Sequence, residues 1–345
     1  MIVGAGAVGS SIAGWLAPSN PGLSLLARGE TLEVLRRRGL KSYLKGCRST
    51  AAAMPVRAIG SLAEAAPPDV VVVTVKNYDL EAVCRDLRAQ LGDREPIVVG
   101  LQNGVKNQQV LPRYFSRVVY GVVCYNSWRE GPGEVGHEKR GHVIVGTPAN
   151  DRGEEVRAVA GILGPHMDCV VTDRLRDAVH SKLVINIANP VMALVGARRR
   201  RVESFDLLVR TLLALHLEAI GLLESAGYHE HRLGHVPSWR SFRIGRNLPA
   251  PVATSFFRRG TRTIGLNSMA QDVFGGRGST ELDEINGYML GLAERAGVST
   301  PVNETVYRAA KERFGTDFRP VSERELWSMV EQNVGDAPEA RAPAG

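Results

Sequence analysis

Residues 4–9 read Gly-Ala-Gly-Ala-Val-Gly and follow the apolar run Met1–Val3 directly. A G-x-G-x-x-G spacing between a strand and a helix answers three demands of a dinucleotide-binding βαβ unit. The first glycine makes the tight turn, the second lets a pyrophosphate approach the backbone, and the third lets helix and strand pack closely. The helix N-terminus then turns its unpaired N–H groups toward the anion. A glycine triplet alone is weak evidence, because glycine-rich turns also contain it. Here a strand stands before it and a helix-length stretch to about Leu16 after it, which is the context the fingerprint requires. The first strand is short, three residues against the usual five or six. Either the strand really is short or the start is assigned late.

The pattern downstream extends that unit into a sheet. Leu23–Ala27 reads as a second strand, and Asp69–Lys76 (DVVVVTVK) is almost continuously β-branched, as a strand buried on both faces of a parallel sheet must be. Pro96–Gly100 (PIVVG) and Arg117–Cys124 (RVVYGVVC) follow at helix-length intervals, which predicts βαβ repetition. His142–Gly146 is expected to close the edge antiparallel to Val118–Tyr125. After about Thr172 helical patterns take over: Leu175–Leu194, Leu207–Ala226, Leu282–Ala296 and Val302–Phe314. The predicted class is α/β. A Rossmann-type doubly wound sheet occupies residues 1–172 and a mostly α-helical substrate domain 173–334. A tail, 335–345, is too poor in apolar residues to order.

With 345 residues the chain is long enough for two domains. Its net charge of +7 is spread along the sequence without any nucleic-acid-binding motif, so no nucleic-acid partner is expected, and an anionic small ligand or a simply Arg-rich composition explains the sign equally well. Cys47, Cys84, Cys124 and Cys169 stand apart, with no metal or disulfide spacing, and are expected to be small buried hydrophobes in a reducing compartment. His229-Glu230-His231 lacks closed-site spacing, so no metal is expected. Arg198–Arg201 reads as a solvated charge run. No secretory leader or membrane-length apolar run is seen, and a cytoplasmic protein is expected. Trp239, Arg240, Arg243 and Arg246 are candidates to line a cleft for an anion.

Two features bear on chemistry. At the end of the second strand, where an acidic residue would hold a ribose 2′-OH, the sequence has Arg28, whose planar fork suits a 2′-phosphate. This points to NADPH/NADP, with Glu30 as a mild counterargument. In Ala178–Leu194, Lys182, Asn186 and Asn189 fall on one helical stripe among apolar neighbours. A lysine there is either tuned by desolvation for proton transfer or simply snorkels beside two surface amides. Spacing alone leaves both open.

At this point the chain resembles the ketopantoate reductase (2-dehydropantoate 2-reductase) family. The resemblance rests on GAGAVG (4–9), TVKNYD (74–79), LQNGV (101–105), the K-x3-N helix (182–186), SMAQDVFGGRGSTELDEINGYML (268–290) and TPVNETVY (300–307), in the family's order. It implies NADPH-dependent reduction of a 2-keto acid to a 2-hydroxy acid, ketopantoate to pantoate in pantothenate biosynthesis being the leading candidate. It further implies that Lys182 is the general acid, that Asn186 orients substrate, and that Glu281 holds substrate hydroxyl and lysine in register. Ser268 meets the substrate carboxylate. Lys76 and Asn103 serve the nicotinamide end beside the cofactor residues Gly4, Gly6, Ala7, Val8, Gly9 and Arg28, with Asn103 and Asn189 also counted toward substrate. A helical second domain of this kind allows a homodimer.

The sequence departs from the family in three places. Asn189 stands seven residues after the lysine rather than eight, and His180 stands where tryptophan is frequent. Arg232–Thr263 is unusually basic. These keep three alternatives in view: another keto acid or secondary-metabolite ketone, a 2-hydroxy-acid dehydrogenase, and a non-catalytic NADP-binding sensor.

Overall fold

The computed structural model describes residues 1–196, 199–248, 252, 268–276, 279–315 and 317–335. It divides into two compact units, Met1–Val179 and His180–Gly345. The expected tail lies outside the described residues, as do Arg198 and most of the Arg232–Thr263 stretch beyond Leu248.

In the first unit, β1 (Ile2–Val3), β2 (Ser24–Leu26), β4 (Arg57–Ile59), β5 (Val70–Val73), β6 (Ile97–Gly100) and β7 (Val118–Val123) pair in parallel in the order β4-β2-β1-β5-β6-β7. Counted along these six strands the order is 3-2-1-4-5-6, the Rossmann arrangement. The run of valines in β5 is interior as its composition requires, with Val71 and Val73 fully buried. β10 (Gly141–Gly146) runs antiparallel to β7, as expected, and β11 (Asp168–Val171) extends the edge parallel to β10.

A second sheet was not foreseen. β3 (Lys41–Leu44), β9 (Glu134–His137) and β8 (Ser127–Gly131) form a three-stranded sheet that packs against α1 (Ala7–Leu16). This explains why α1 has no polar face: residues Gly9 to Leu16 are all buried. Under the sheet, Trp15 Nε1 donates to His137 Nε2 at 3.2 Å and Ser11 Oγ meets Tyr125 Oη at 3.0 Å. The remaining helices of this unit are α2 (Gly29–Arg38), α3 (Asn77–Leu91), α4 (Lys106–Val110) and α5 (Gly153–Leu163).

The second unit is helical. α6 (Leu175–Asn186) crosses the unit boundary and is followed by α7 (Asn189–Leu194), α8 (Phe205–Ser225), α9 (Trp239–Asn247) and α10 (Ser268–Phe274). Next come a π turn (Asp283–Gly287), α11 (Tyr288–Ala296), α12 (Pro301–Arg313) and α13 (Glu323–Gly335). The expected single helix over 175–194 is in fact two. Pro190 has no N–H to give the Asn186 carbonyl, and its ring crowds that carbonyl, so α6 stops at Asn186. Three helices, α9, α10 and α13, were not anticipated. Trp239 is 4% exposed and belongs to the core of this unit, while also bordering a recess. Arg243 pairs with Glu224 at 2.5 Å, while Arg240 and Arg246 are exposed. The cysteine expectation also needs correction, since Cys47 is exposed while Cys84 and Cys124 are buried. Among the described residues no helix is long and apolar enough to cross a membrane.

Glu218 of α8 takes the place of a side-chain cap on α12. Thr300 makes no cap bond, and the Glu218 carboxylate accepts from Val302 N at 2.8 Å and Asn303 N at 2.7 Å. Burial outweighs these two amides and pushes its carboxyl up to about 7. A raised carboxyl means the folded state holds a proton that the unfolded state has lost, so this group's contribution to stability falls as pH rises from about 4.5 through about 7. His137 and His216, both pushed down to about 4 by burial, act with the opposite sign: their stability is lost as pH falls below about 6.5. The melting temperature of Glu218→Gln relative to wild type should therefore climb across pH 5–8, by the equivalent of about 3 kcal/mol at most. A difference that stays flat with pH would remove Glu218 from this account.

Candidate active site

In the first unit the polar groups collect at the carboxyl ends of β1, β5 and β6. Between β1 and β5 the strand order reverses, and open α/β sheets bind ligands at such a point. Gly4 adopts φ +105°, and its N–H donates to Leu26 O at 3.1 Å. Gly6 caps α1 with extended backbone, and α1 carries no acidic residue in its first turn. Its amides at Ala7, Val8 and Gly9 thus meet no built-in anion. A Cβ added at Gly6 would have nothing within 4 Å, whereas one at Gly9 would lie 2.0 Å from Gly4 O and 2.4 Å from Thr74 Oγ1. The second glycine leaves the turn open, and the third brings the helix against the strand.

Thr74, which sequence reasoning passed over, fastens this loop: its Oγ1 lies 3.0 Å from Val3 O and 2.8 Å from Gly4 O. Lys76 caps α3, three residues beyond the end of β5. Gln102 Nε2 donates to Val73 O at 2.9 Å and to Val75 O at 3.1 Å, and Asn77 Nδ2 donates to Asn103 O at 2.8 Å. These bonds lace the segments after β5 and β6 together and bring Lys76 and Asn103 to one lip of the sheet. The signal for Gln102 and Asn77 was available, as polar residues directly after buried strands.

Arg28 caps α2 just after β2 and pairs with Asp86 of α3 at 2.7 Å, with side chains 68% and 52% exposed. An exposed pair of this kind contributes at most about 1 kcal/mol. The guanidinium is held in place but stays available to a stronger anion.

In the second unit, Lys182 and Asn186 lie one turn apart on α6, Lys182 half-buried and Asn186 buried. Asn189 lies past the break, as the first residue of α7. Ser268 opens α10, which packs against α7. Glu281 is 3% exposed and stands just before the π turn. His180 is buried, stacked on Tyr228 with centroids 3.6 Å apart, and shares a 2.8 Å hydrogen bond with Tyr288 Oη. Ser181, Ile185, Glu230, Arg232 and Trp239 help line a shallow recess, in which Ser181 Oγ accepts from His231 N at 2.8 Å.

The family model described as ketopantoate reductase PanE/ApbA matches residues 1–150, and ketopantoate reductase PanE/ApbA C terminal matches residues 174–314. The 2-dehydropantoate 2-reductase of Pyrococcus horikoshii is 25% identical over 318 residues, covering 91% of this chain and 97% of that protein. Among solved structures, the 2-dehydropantoate 2-reductase of Geobacter metallireducens is 25% identical with a TM-score of 0.72, covering 90% of this chain and 99% of the other. A D-mandelate dehydrogenase in ternary complex with NADH and anilino(oxo)acetate shares the fold, with a TM-score of 0.70 at 18% identity and coverage of 94% and 99%. The two family models thus match the Rossmann unit and the helical unit in order along most of the chain. This protein belongs to the ketopantoate reductase family, pyridine-nucleotide-dependent oxidoreductases acting on a carbonyl and its alcohol.

Proposed function

We propose that the chain is an NADPH-dependent reductase of a 2-keto acid, with ketopantoate to pantoate as the leading reaction. The observation that carries the reading is the α6 face: an ammonium at Lys182 and an amide at Asn186, one turn apart and flanked by the buried Leu183, Val184 and Ile187, in a chain that this family's models match in both units.

The first unit fits a dinucleotide. The open backbone at Gly6 and the acid-free first turn of α1, with its Ala7, Val8 and Gly9 amides, suit a pyrophosphate. Gly4 shapes the turn. Arg28 offers two parallel donors to a 2′-phosphate, and Lys76 and Asn103 serve the nicotinamide end. Bound NADPH supplies a hydride to the carbonyl carbon. Reduction leaves negative charge on the carbonyl oxygen, and Lys182 both stabilises that charge and delivers the proton. Asn186 orients the substrate oxygen, Glu281 holds lysine and substrate hydroxyl in register, and Ser268 donates to the carboxylate.

A second reading, a different 2-keto acid, is favoured by the helix break that puts Asn189 on α7 and by His180, two residues before the lysine on α6. The test is oxidation of NADPH and of NADH with ketopantoate and with branched and aromatic 2-keto acids. Ketopantoate turnover with the highest kcat/KM supports the leading reaction. Preference for another acid establishes the second reading, and no turnover of any keto acid sinks both. Arg28→Ala should raise the KM for NADPH by about 10- to 100-fold, the scale of a lost charge-assisted pair, with little change for NADH. Equal effects on both cofactors would refute the role of Arg28.

A further inference from the structure

The stretch that carries Lys182 and Asn186 is tied to the segment that carries Glu281 at two points, one on either side. Upstream, His180 Nε2 and Tyr288 Oη share a 2.8 Å hydrogen bond. Downstream, Asn286 Nδ2 donates to Ile187 O at 3.1 Å, at the break between α6 and α7. Asn286 belongs to the π turn, and π insertions of this kind recur at functional sites. A reciprocal pair of amide bonds holds that turn: Asn286 Nδ2 donates to Asn303 Oδ1 at 2.9 Å, and Asn303 Nδ2 donates to Asn286 O at 3.1 Å. Asn303 is fixed in turn by the Glu218 carboxylate on its own N–H.

Both asparagines are buried, at 0% and 1% exposure. Asn286 Oδ1 has no hydrogen-bond partner among the described residues, a cost that an apolar side chain of similar volume would not carry. An amide kept there at that cost supplies something that packing alone does not. What it supplies is a donor for the Ile187 carbonyl, one residue beyond Asn186.

We infer that Asn286 and Tyr288 are positioning residues, clamping the Lys182–Asn186 stretch of α6 in register with the Glu281 segment on both sides of the lysine. The inference rests on the proposed role of Lys182 as the acid. Neither residue need touch substrate; each acts through the lysine it helps to place.

The test is single-turnover and steady-state keto-acid reduction in wild type, Lys182→Ala, Asn286→Ala, Tyr288→Phe and each of the last two combined with Lys182→Ala. Asn286→Ala should lower kcat roughly 10- to 100-fold, the scale of a misplacement of about an ångström, with KM for the keto acid and Kd for NADPH within about twofold of wild type. Tyr288→Phe, which deletes one hydroxyl and folds, should lower kcat by about 3- to 10-fold, a fraction of the same scale. In the Lys182→Ala background neither substitution should add a further loss, because groups that act as a unit are not additive. Losses that multiply in the double variants would overturn the inference, and so would wild-type kcat in the single variants with only a lowered melting temperature. Where Asn286→Ala does not fold, Tyr288→Phe decides by the same readouts. A wild type no faster than Lys182→Ala on every keto acid overturns the underlying reading of Lys182, and the inference falls with it.

Discussion

Lys182→Ala should lower kcat for keto-acid reduction by about 10³-fold or more, which is about 4 kcal/mol of transition-state stabilisation. The expected size follows from two jobs done by one side chain. Hydride addition places a full negative charge on the carbonyl oxygen, and the protein must both stabilise that charge and supply a proton within hydrogen-bond reach. Alanine does neither, and water in the space left behind is a weaker acid without a fixed orientation. The proposed dinucleotide site is built from the first unit, so its Kd should stay within about twofold of wild type. Lys182→Arg is the sharper control: it keeps the cation but holds its proton too tightly to transfer it. It should recover part of the electrostatic term and little of the proton transfer. A Lys182→Ala variant with near-normal kcat would remove the residue from the mechanism.

Substitutions at two glycines of the first turn should separate folding from binding. At Gly9 a Cβ would meet Gly4 O at 2.0 Å and Thr74 Oγ1 at 2.4 Å. The first of these is backbone and cannot swing aside, so α1 must move off β1. Gly9→Ala should lose roughly 1–3 kcal/mol of stability from overpacking and weaken dinucleotide binding about 10²-fold or more, as the helix N-terminus shifts from the anion. At Gly6 the space beyond the backbone is open and the backbone conformation suits any residue. Gly6→Ala should leave the melting temperature of the free protein unchanged or slightly raised. It should nevertheless weaken dinucleotide binding, because the methyl group stands where a pyrophosphate must approach. Equal melting losses at both positions, or unaltered binding in Gly6→Ala, would contradict the assignment of the turn.

The parts of this architecture that were legible in the sequence are those whose cause is local. The glycine turn, the valine run of β5 and the antiparallel return of β10 each state their environment in a handful of adjacent residues. The sheet of β3, β8 and β9 does not. Its strands KSYL, SWREG and EVGH are short and polar or glycine-bearing, and β3 pairs with a strand some ninety positions later. The absence of any charged residue from α1 was the available hint, since a helix without a charged face has to be covered on both sides.

Pro190 was equally visible. The regular spacing of Lys182, Asn186 and Asn189 suggested one continuous helix, and the missing N–H of a single proline ended it. Ser238, whose side chain accepts from Ser241 N and caps α9, was a start signal in a stretch that its arginines made to look irregular. Asn286 and Asn303 were hidden for another reason. A polar residue in a helical pattern reads as surface, and only a partner from a distant helix makes it interior. The second unit therefore yields its lysine to a reader of the sequence, but not the amides that hold the lysine's helix in place.

The contact between Arg28 and Asp86 has a consequence for cofactor choice. A guanidinium already engaged by a carboxylate must exchange one anion for another, so the gain from an incoming phosphoryl group is a difference between two pairings and not the whole of one. Both pairings sit in water, so added electrolyte weakens both and narrows that difference. If Arg28 holds the 2′-phosphate as proposed, selectivity between the two nicotinamide dinucleotides is adjustable from α3, by a change at position 86.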